Sequence, residues 1–427
     1  MQSIHEYASR KIYKHVDLIK VYDMIKNNIK TTDIVLVDVK NSYGYVLAED
    51  IYSPYDRPLY NISHVDGYAI KYGDLKEATS EQVKFKVVKG IDPRRAHEYE
   101  LDRGEAVFVE TGYPLPRGAD TVVPIEDTFL INDHVVISKK YMRGEHVFPR
   151  STDYKKGELI VRKGTRITPF IIKALMDLGV GEIRVYRKPR VIIYSVGDEL
   201  VDEPFSNEEW KLPMSTKYLD KYIIQYYGGQ VIDMEKLPDD PTIIVSRIKD
   251  HLDKADLFIT IGGVSMGPKD HSWISLYEEF KPQKYWRGTK IHPARSTSGI
   301  IVKDKLIINQ PGLHQSSLSA LFFVIVPVIN YLQGLSLEPS YPYTRARIKN
   351  EYIDKKYIDH YRLRPVKVFD EIAEIIDIMG SYYLKPLIES NGFIVLNPGK
   401  EYLKRNEIVN VFYMSPIHYP PTANVLW

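Results

Sequence analysis

The chain has 427 residues and a formal net charge of +2, with 44% hydrophobic residues, 27% charged residues and no cysteine. This composition belongs to a folded globular chain long enough for about two to four domains. The near-neutral balance gives no case for nucleic acid as a partner, and the absence of cysteine excludes disulfides, thiolate catalysis and Cys-ligated zinc.

In chain order, the first twenty residues, MQSIHEYASRKIYKHVDLIK, lack the apolar core of a signal peptide. Residues 15–30 carry Val16, Ile19, Tyr22, Met24 and Ile25 at helical spacing. Residues 32–140 switch to short apolar runs broken by Gly, Pro and Asp (VLVDVK, YGYVLA, VKFKVVKG, AVFVETG, DTVVPI, HVVISKK), which predict an all-β region. Residues 141–157 are polar and irregular. A helix is predicted over 169–178, with Pro169 in its first turn and Gly179 at its end. From Arg184 to Gly334 strands at 191–196, 230–234 and 257–261 alternate with helices at 217–227, 242–252 and after Asp270. That alternation predicts a parallel sheet with helices on both faces. The most apolar run, Ala320 to Ile329, contains Pro327 and is too short to span a bilayer, so it reads as a buried helix and no membrane partner is expected. After Glu338 five runs (TRARIK, DHYRLRPVKVF, IAEIIDIMG, GFIVLNPG, EIVNVFYM) predict a small barrel. The fold class is therefore multidomain α/β plus β. The expected domains are a discontinuous helical one at 1–31 and 141–182, an inserted β domain at 32–140, an α/β domain at 183–337 and a C-terminal β-barrel at 338–427.

Ligands of an open parallel sheet bind beyond the carboxyl ends of its strands, and three such ends carry polar clusters. One is Gly197-Asp198-Glu199 and the second is Asp239-Asp240. The third follows the apolar run 257–261 in DLFITIGGVSMGPKD, where Gly262, Gly263, Ser265 and Gly267 lead to Asp270. Glycines let backbone N–H groups approach a ligand, and a helix N-terminus favours phosphate. An acid at the end of such a loop tolerates phosphate when a divalent cation lies between them. A tight strand-to-helix turn would give the same glycines. Ser215 and Thr216, opening the helix at 217–227, are further candidate phosphate ligands. Downstream, YWRGTKIHPARSTSG places Arg287, Lys290, His292 and Arg295 in one basic segment. It reads either as a solvated loop or as an oxyanion pocket, to which Ser296, Ser298 and Ser316 would add hydroxyl donors. Trp286 reads as core.

Three further segments, RPLYNISHVDGYAI (57–70), TGYPLPRGADTVVPIEDT (111–128) and PRVIIYSVGDEL (189–200), join GGVSMGPKD in family order. Together they resemble the molybdopterin molybdenumtransferase family, MoeA and the E domain of gephyrin. The resemblance implies an elongated homodimer with four subdomains per chain. It implies insertion of molybdate into adenylylated molybdopterin with release of AMP, assisted by magnesium, at a site shared between the α/β subdomain of one chain and the inserted β subdomain of the other. By the same resemblance Asp66, Asp153, Glu199 and Asp270 match catalytic acids. Asp239, Asp270 and Glu199 would hold the metal, and Ser316 and Ser381 match oxyanion-site serines. The expected partners are a molybdopterin adenylyltransferase and recipient molybdo- or tungstoenzymes, in the cytoplasm.

The oxyanion side departs from the pattern. The family's KPGKP is here His292-Pro293-Ala294-Arg295-Ser296, its LPGNPVS is Gln310-Pro311-Gly312-Leu313-His314-Gln315-Ser316, and Gly-Glu of its RGED is Ser151-Thr152. Its RxEFxR leaves Arg362 or Arg364 as stand-ins. Histidine in place of lysine makes a charge conditional, since imidazole titrates near about 6.5. The expectation is that oxyanion binding weakens as pH rises through the His292 pKa. Tungstate in place of molybdate is one alternative. A non-catalytic dimeric carrier of molybdopterin or its adenylate is another, and an anchor of gephyrin's clustering type is a third.

Overall fold

A computed structural model describes residues 15–76, 82–202, 211–263, 272–376 and 380–414. The chain forms two compact units, one of residues 36–43 and 49–183, the other of residues 1–35, 44–48 and 184–427.

The unit of 36–43 and 49–183 is built on a six-stranded sheet. Its strands are β1 (Gly67–Ile70), β2 (Val83–Val87), β3 (Glu105–Val109), β4 (Thr121–Pro124), β5 (Thr128–Ile131) and β6 (His134–Ile137), in the order β4-β1-β3-β2-β6-β5. Alternate residues point to opposite faces of a strand, and here they feed two cores. Tyr68, Ile70, Ala106 and Val123 join Phe85 and Val135 on one face, while Ala69, Val107, Val109 and Val122 join Leu101 and Leu115 on the other. Gly67 is required by close approach, because a Cβ there would lie 2.1 Å from the Val123 carbonyl oxygen. The helix Pro169–Asp177 starts at Thr168, whose hydroxyl accepts the Ile171 N–H, and ends just before Gly179 at φ +71°.

In the other unit, helix Leu18–Asn28 is capped by Asp17, whose carboxylate accepts the Ile19 N–H at 2.9 Å. Its apolar face buries Leu18, Val21, Tyr22 and Ile25. The α/β sheet has strands β7 (Arg190–Val196), β8 (Gln230–Leu237), β9 (Leu257–Ile261), β10 (Lys284–Trp286), β12 (Ser298–Val302) and β13 (Lys305–Gln310); the short strand β11 (Ile291–His292), which follows β10 in the chain, pairs outside this sheet. The order is β8-β7-β9-β13-β12-β10. The first four are mutually parallel, and both faces of β7 and β9 are buried. The last two extend the sheet antiparallel, where the sequence pattern had shown only a basic segment. Val302 pairs with Lys305 across a two-residue turn that places Lys303 at φ +55°, the backbone of a tight hairpin.

A continuous helical stretch from His314 to Leu332 crosses the core, and 89% of its most apolar window is buried by the protein itself, although it is long and apolar enough to cross a membrane. Its middle turn, Leu321–Ile325, widens to a π-helix. Pro327 explains this, since it lacks the N–H that would reach the Phe323 carbonyl. The Tyr22 hydroxyl donates to that carbonyl, and the Tyr341 hydroxyl donates to that of Phe322. The last strands are β14 (Tyr343–Ile348), β15 (Tyr361–Phe369), β16 (Ile372–Ile375), β17 (Gly392–Leu396) and β18 (Ile408–Tyr413). They run β15-β16-β14-β18-β17 and close from β17 back to β15, forming the small five-stranded barrel the pattern predicted. The strand β11 lies parallel to β15, pairing His292 with Arg362.

Candidate functional site

The carboxyl ends of β7, β8, β9 and β13 open on one edge, because these four strands are parallel and adjacent. That edge therefore collects Gly197 to Glu199, Asp239 and Asp240, Gly262 and Gly263, and Pro311 and Gly312. Glu199 folds back over Gly197, where a Cβ would meet its carboxylate at 2.7 Å. Asp198 and Asp239 exchange long backbone-to-carboxylate contacts of 3.4 Å. Asp240 is spent as a helix cap, accepting the Thr242 and Ile243 N–H groups. Among the described residues no Lys, Arg or His forms a salt bridge with Glu199 or Asp239.

The glycine loop is half turn and half cradle. Gly262 and Gly263 have φ of +92° and +63°, and a Cβ on Gly262 would lie 2.5 Å from the Val196 carbonyl oxygen. The Gly262 N–H donates to the Gln310 carbonyl at 3.1 Å, so the fold itself engages this amide. Ser265, Gly267 and Asp270 lie outside the described residues. Ser215 precedes the helix Thr216–Tyr226 without capping it, and its side chain is exposed. The Thr216 hydroxyl donates to the Gly312 carbonyl at 3.1 Å, fastening that helix to the loop after β13.

Beside this loop lies a cleft of about 490 Å³. Gly262 and Gly263 line it together with His292, Arg295, Ser296, Ser316 and Ser381. Residues expected to serve phosphate and residues expected to serve the oxyanion thus meet at one cavity. Ser316 comes from the first turns of the long helix, and Ser381 from the segment that also accepts the Gln315 N–H at 3.1 Å. Arg295 lays its guanidinium over the Tyr357 ring at 4.0 Å, and no carboxylate pairs with it among the described residues. The Nδ1 of His292 is buried without a hydrogen-bond partner.

The structure corrects the expected pH switch at His292. Burial first, then the Arg364 and Arg295 charges, hold its imidazole down at about 3. The residue is a neutral donor or acceptor at physiological pH, and Arg295 supplies the permanent charge. Other members of the basic segment are spent elsewhere. Lys290 pairs with Asp359 at 2.9 Å, and Arg287 stacks over Trp273 at 5.1 Å. Trp286 is core, as expected. Of the two stand-ins, Arg362 is fully buried and donates to the carbonyls of Asp354 and Lys400. Arg364 pairs with Asp354 and lines an adjoining cavity of about 650 Å³, which shares His292, Pro293 and Ser381 with the cleft and adds Lys355 and Lys356. Sequence reasoning missed Tyr357, which stacks on both His292 (4.5 Å) and Arg295, and His15 at the cleft's rim. No motif marks either; β11 lying against β15 brings Tyr357 in.

Two replaced glycines keep the backbone of glycine. Ala294 has φ +117° and Ser151 has φ +63°, at the positions where the resembled motifs carry Gly. A side chain in these regions stores of order 1–3 kcal/mol of strain.

Asp66 and Asp153 belong to the other unit. Asp66 accepts the Thr111 N–H at 2.7 Å and its hydroxyl at 2.8 Å, which hold its carboxyl below the usual range. Asp153 accepts from Arg57 Nε at 2.8 Å.

Residues 6–179 match the family model of the MoeA N-terminal region (domain I and II), and residues 192–331 match that of a probable molybdopterin binding domain. A molybdopterin molybdenumtransferase of Staphylococcus epidermidis is 28% identical over 333 residues, covering 78% of this chain and 76% of the relative. One of Staphylococcus aureus (strain COL) is 27% identical over 311 residues, covering 73% of this chain and 74% of its own. The crystal structure of the molybdopterin biosynthesis MoeA protein from Pyrococcus horikosii superposes with a TM-score of 0.78 at 28% identity, over 94% of this chain and 100% of that one.

Proposed function

The chain belongs to the molybdopterin molybdenumtransferase (MoeA) family of molybdenum cofactor biosynthesis, and on that premise we propose that it inserts molybdate into adenylylated molybdopterin with release of AMP. The observation that carries the reading is the single cleft in which the glycine loop meets Arg295, an orphaned buried imidazole nitrogen and the hydroxyls of Ser296, Ser316 and Ser381. Guanidinium and hydroxyl donors suit a tetrahedral dianion. Glu199 and Asp239, unpaired with any cation among the described residues, suit a magnesium ion, with Asp270 as the third acid. Magnesium bound there would neutralise the phosphate charge on which AMP departs. The protein's own contribution is positioning. Gly262 and Gly263 let the nucleotide side approach the sheet edge, while Arg295 and the serines hold the oxyanion beside the acceptor. Asp66 and Asp153 act as the family's further acids in a homodimer, and the products pass to molybdo- or tungstoenzymes in the cytoplasm.

The experiment is AMP release from adenylylated molybdopterin by purified protein with magnesium, with and without molybdate or tungstate. Release that needs the oxyanion establishes the transferase, and the more effective oxyanion names the metal. Tight binding of the adenylate with no release under either oxyanion would replace this reading with that of a carrier.

A further inference from the structure

On the α/β sheet's edge strand β8, Asp233 and Glu235 stand two residues apart and so share one face. His251 ends the helix Pro241–His251 beside them. One ligand atom from each of the three lies within 4.8 Å of the others. None of the three lines the oxyanion cleft.

One ring nitrogen of His251 is engaged by the fold. The ring is 7% exposed, and its Nδ1 is 2.8 Å from the Tyr194 hydroxyl oxygen. That hydroxyl also has the Arg247 carbonyl at 3.3 Å as an acceptor for its single proton. When the hydroxyl proton goes to that carbonyl, the tyrosine oxygen accepts from Nδ1–H and a lone pair is left on Nε2. Nε2 makes no hydrogen bond among the described residues, and Asp233 and Glu235 each bring a carboxylate oxygen within 4.8 Å of a ring nitrogen of His251.

We propose that Asp233, Glu235 and His251 bind one divalent transition-metal cation of the zinc class. A ring nitrogen fixed through its other N–H by a further polar group is the usual arrangement around a metal-bound histidine. The C-terminal end of the helix adds carbonyl dipoles that favour positive charge. Asp233 uses one oxygen on the Met234 N–H at 2.8 Å and keeps the other. Arg247 donates to both oxygens of Glu235, at 2.9 and 2.6 Å. A carboxylate offers about four lone-pair sites, so it can hold a cation on the remaining side. One nitrogen and two oxygens at about 2.0–2.2 Å, with water completing the shell, suit zinc or manganese better than magnesium. Such ligands sit about 3–4 Å apart, so side-chain adjustments of about 1 Å close the site. The ion would clip the edge strand to the helix that covers it.

The test uses the full chain stripped with EDTA, titrated with zinc by calorimetry and with cobalt by visible absorption. The expected result is one equivalent per chain, with a cobalt spectrum that includes a nitrogen ligand. Asp233→Asn and Glu235→Gln should each weaken binding at least about tenfold, and Tyr194→Phe should weaken it about 10- to 100-fold through loss of the tautomer lock. Asp233 lies at the surface, so its variant remains decisive even if substitutions at His251 unfold the chain. No binding in the wild type, or binding that Asp233→Asn and Glu235→Gln leave unchanged, would overturn the site. The cluster would then be two solvated strand acids beside a buried histidine.

Discussion

Oxyanion affinity should depend on Arg295 and be flat with pH, although a histidine sits where the family motif has lysine. An ordinary imidazole near 6.5 would be roughly three-quarters charged at pH 6 and almost neutral at pH 8. At 4 Å and an effective dielectric of about 20, that charge is worth up to about 4 kcal/mol to a bound anion, so affinity would fall steeply over the interval. In the structure burial and the neighbouring Arg364 and Arg295 hold His292 at about 3. At pH 6 only on the order of 0.1% of it carries a proton. Even if a bound anion contributed the full ~4 kcal/mol, the group would be about half charged at pH 6, which changes the affinity only about twofold between pH 6 and 8. Arg295 is charged throughout, and its hydrogen bonds to an anion are worth about 1.5–3 kcal/mol. Arg295→Ala should therefore raise the Kd for molybdate about 10- to 150-fold. Titration calorimetry of wild type, Arg295→Ala and His292→Ala at pH 6, 7 and 8 measures both statements. A tenfold or greater loss of wild-type affinity from pH 6 to 8 that vanishes in His292→Ala would refute the reasoning.

Three stability effects follow from the same structure. Ala294→Gly releases a side chain from φ +117°; after the entropy a glycine adds to the unfolded chain, it should still stabilise by about 0.5–2 kcal/mol, and a lower melting temperature would contradict this. Tyr22→Phe removes the donor to the Phe323 carbonyl that Pro327 cannot serve, leaving a buried acceptor bare, so denaturant unfolding should show a loss of about 1–3 kcal/mol; an unchanged midpoint would mean that water or a helix N–H already serves it. Asp220 is fully buried beside the Gln310 amide, and burial raises its carboxyl to about 8. Folding with such a raised acid is most favourable below its unfolded pKa near 4 and weakens as pH rises toward 8. Asp220→Asn should therefore gain at least about 1 kcal/mol more at pH 8 than at pH 5, and an equal effect at the two would contradict the assignment.

Much of the fold was legible because its signals are local. Gly179 at φ +71° ends the helix Pro169–Asp177, as its position after the apolar run predicted. The run 257–261 became β9 with its bounds unchanged, because it is short, apolar and stopped by two glycines. The antiparallel strands β10 and β12 were not legible. β10 has only three residues and β12 opens on Ser298-Gly299, so neither gives a local strand pattern, and pairing of β12 with β13 and of β10 with β12 makes them strands.

In the site, the cleft residues were found through motif positions, but their chemistry was not. Nothing local says that His292 is buried among arginines, which depends on β11 lying against β15. Tyr357, 64 positions beyond Pro293 in the chain, enters by the same pairing. The Asp233, Glu235 and His251 cluster was missed because its spacing matches no short ligand motif; strand pleat and helix end bring it together.

The most direct measurement of the central claim is the steady-state dependence of AMP release on molybdate concentration, in wild type and Arg295→Ala, with adenylylated molybdopterin and magnesium held saturating. If the cleft holds the oxyanion, the molybdate KM rises at least tenfold in Arg295→Ala while the affinity for the adenylate stays unchanged. An unchanged molybdate KM, or a loss of adenylate binding instead, would place the oxyanion elsewhere and contradict the account.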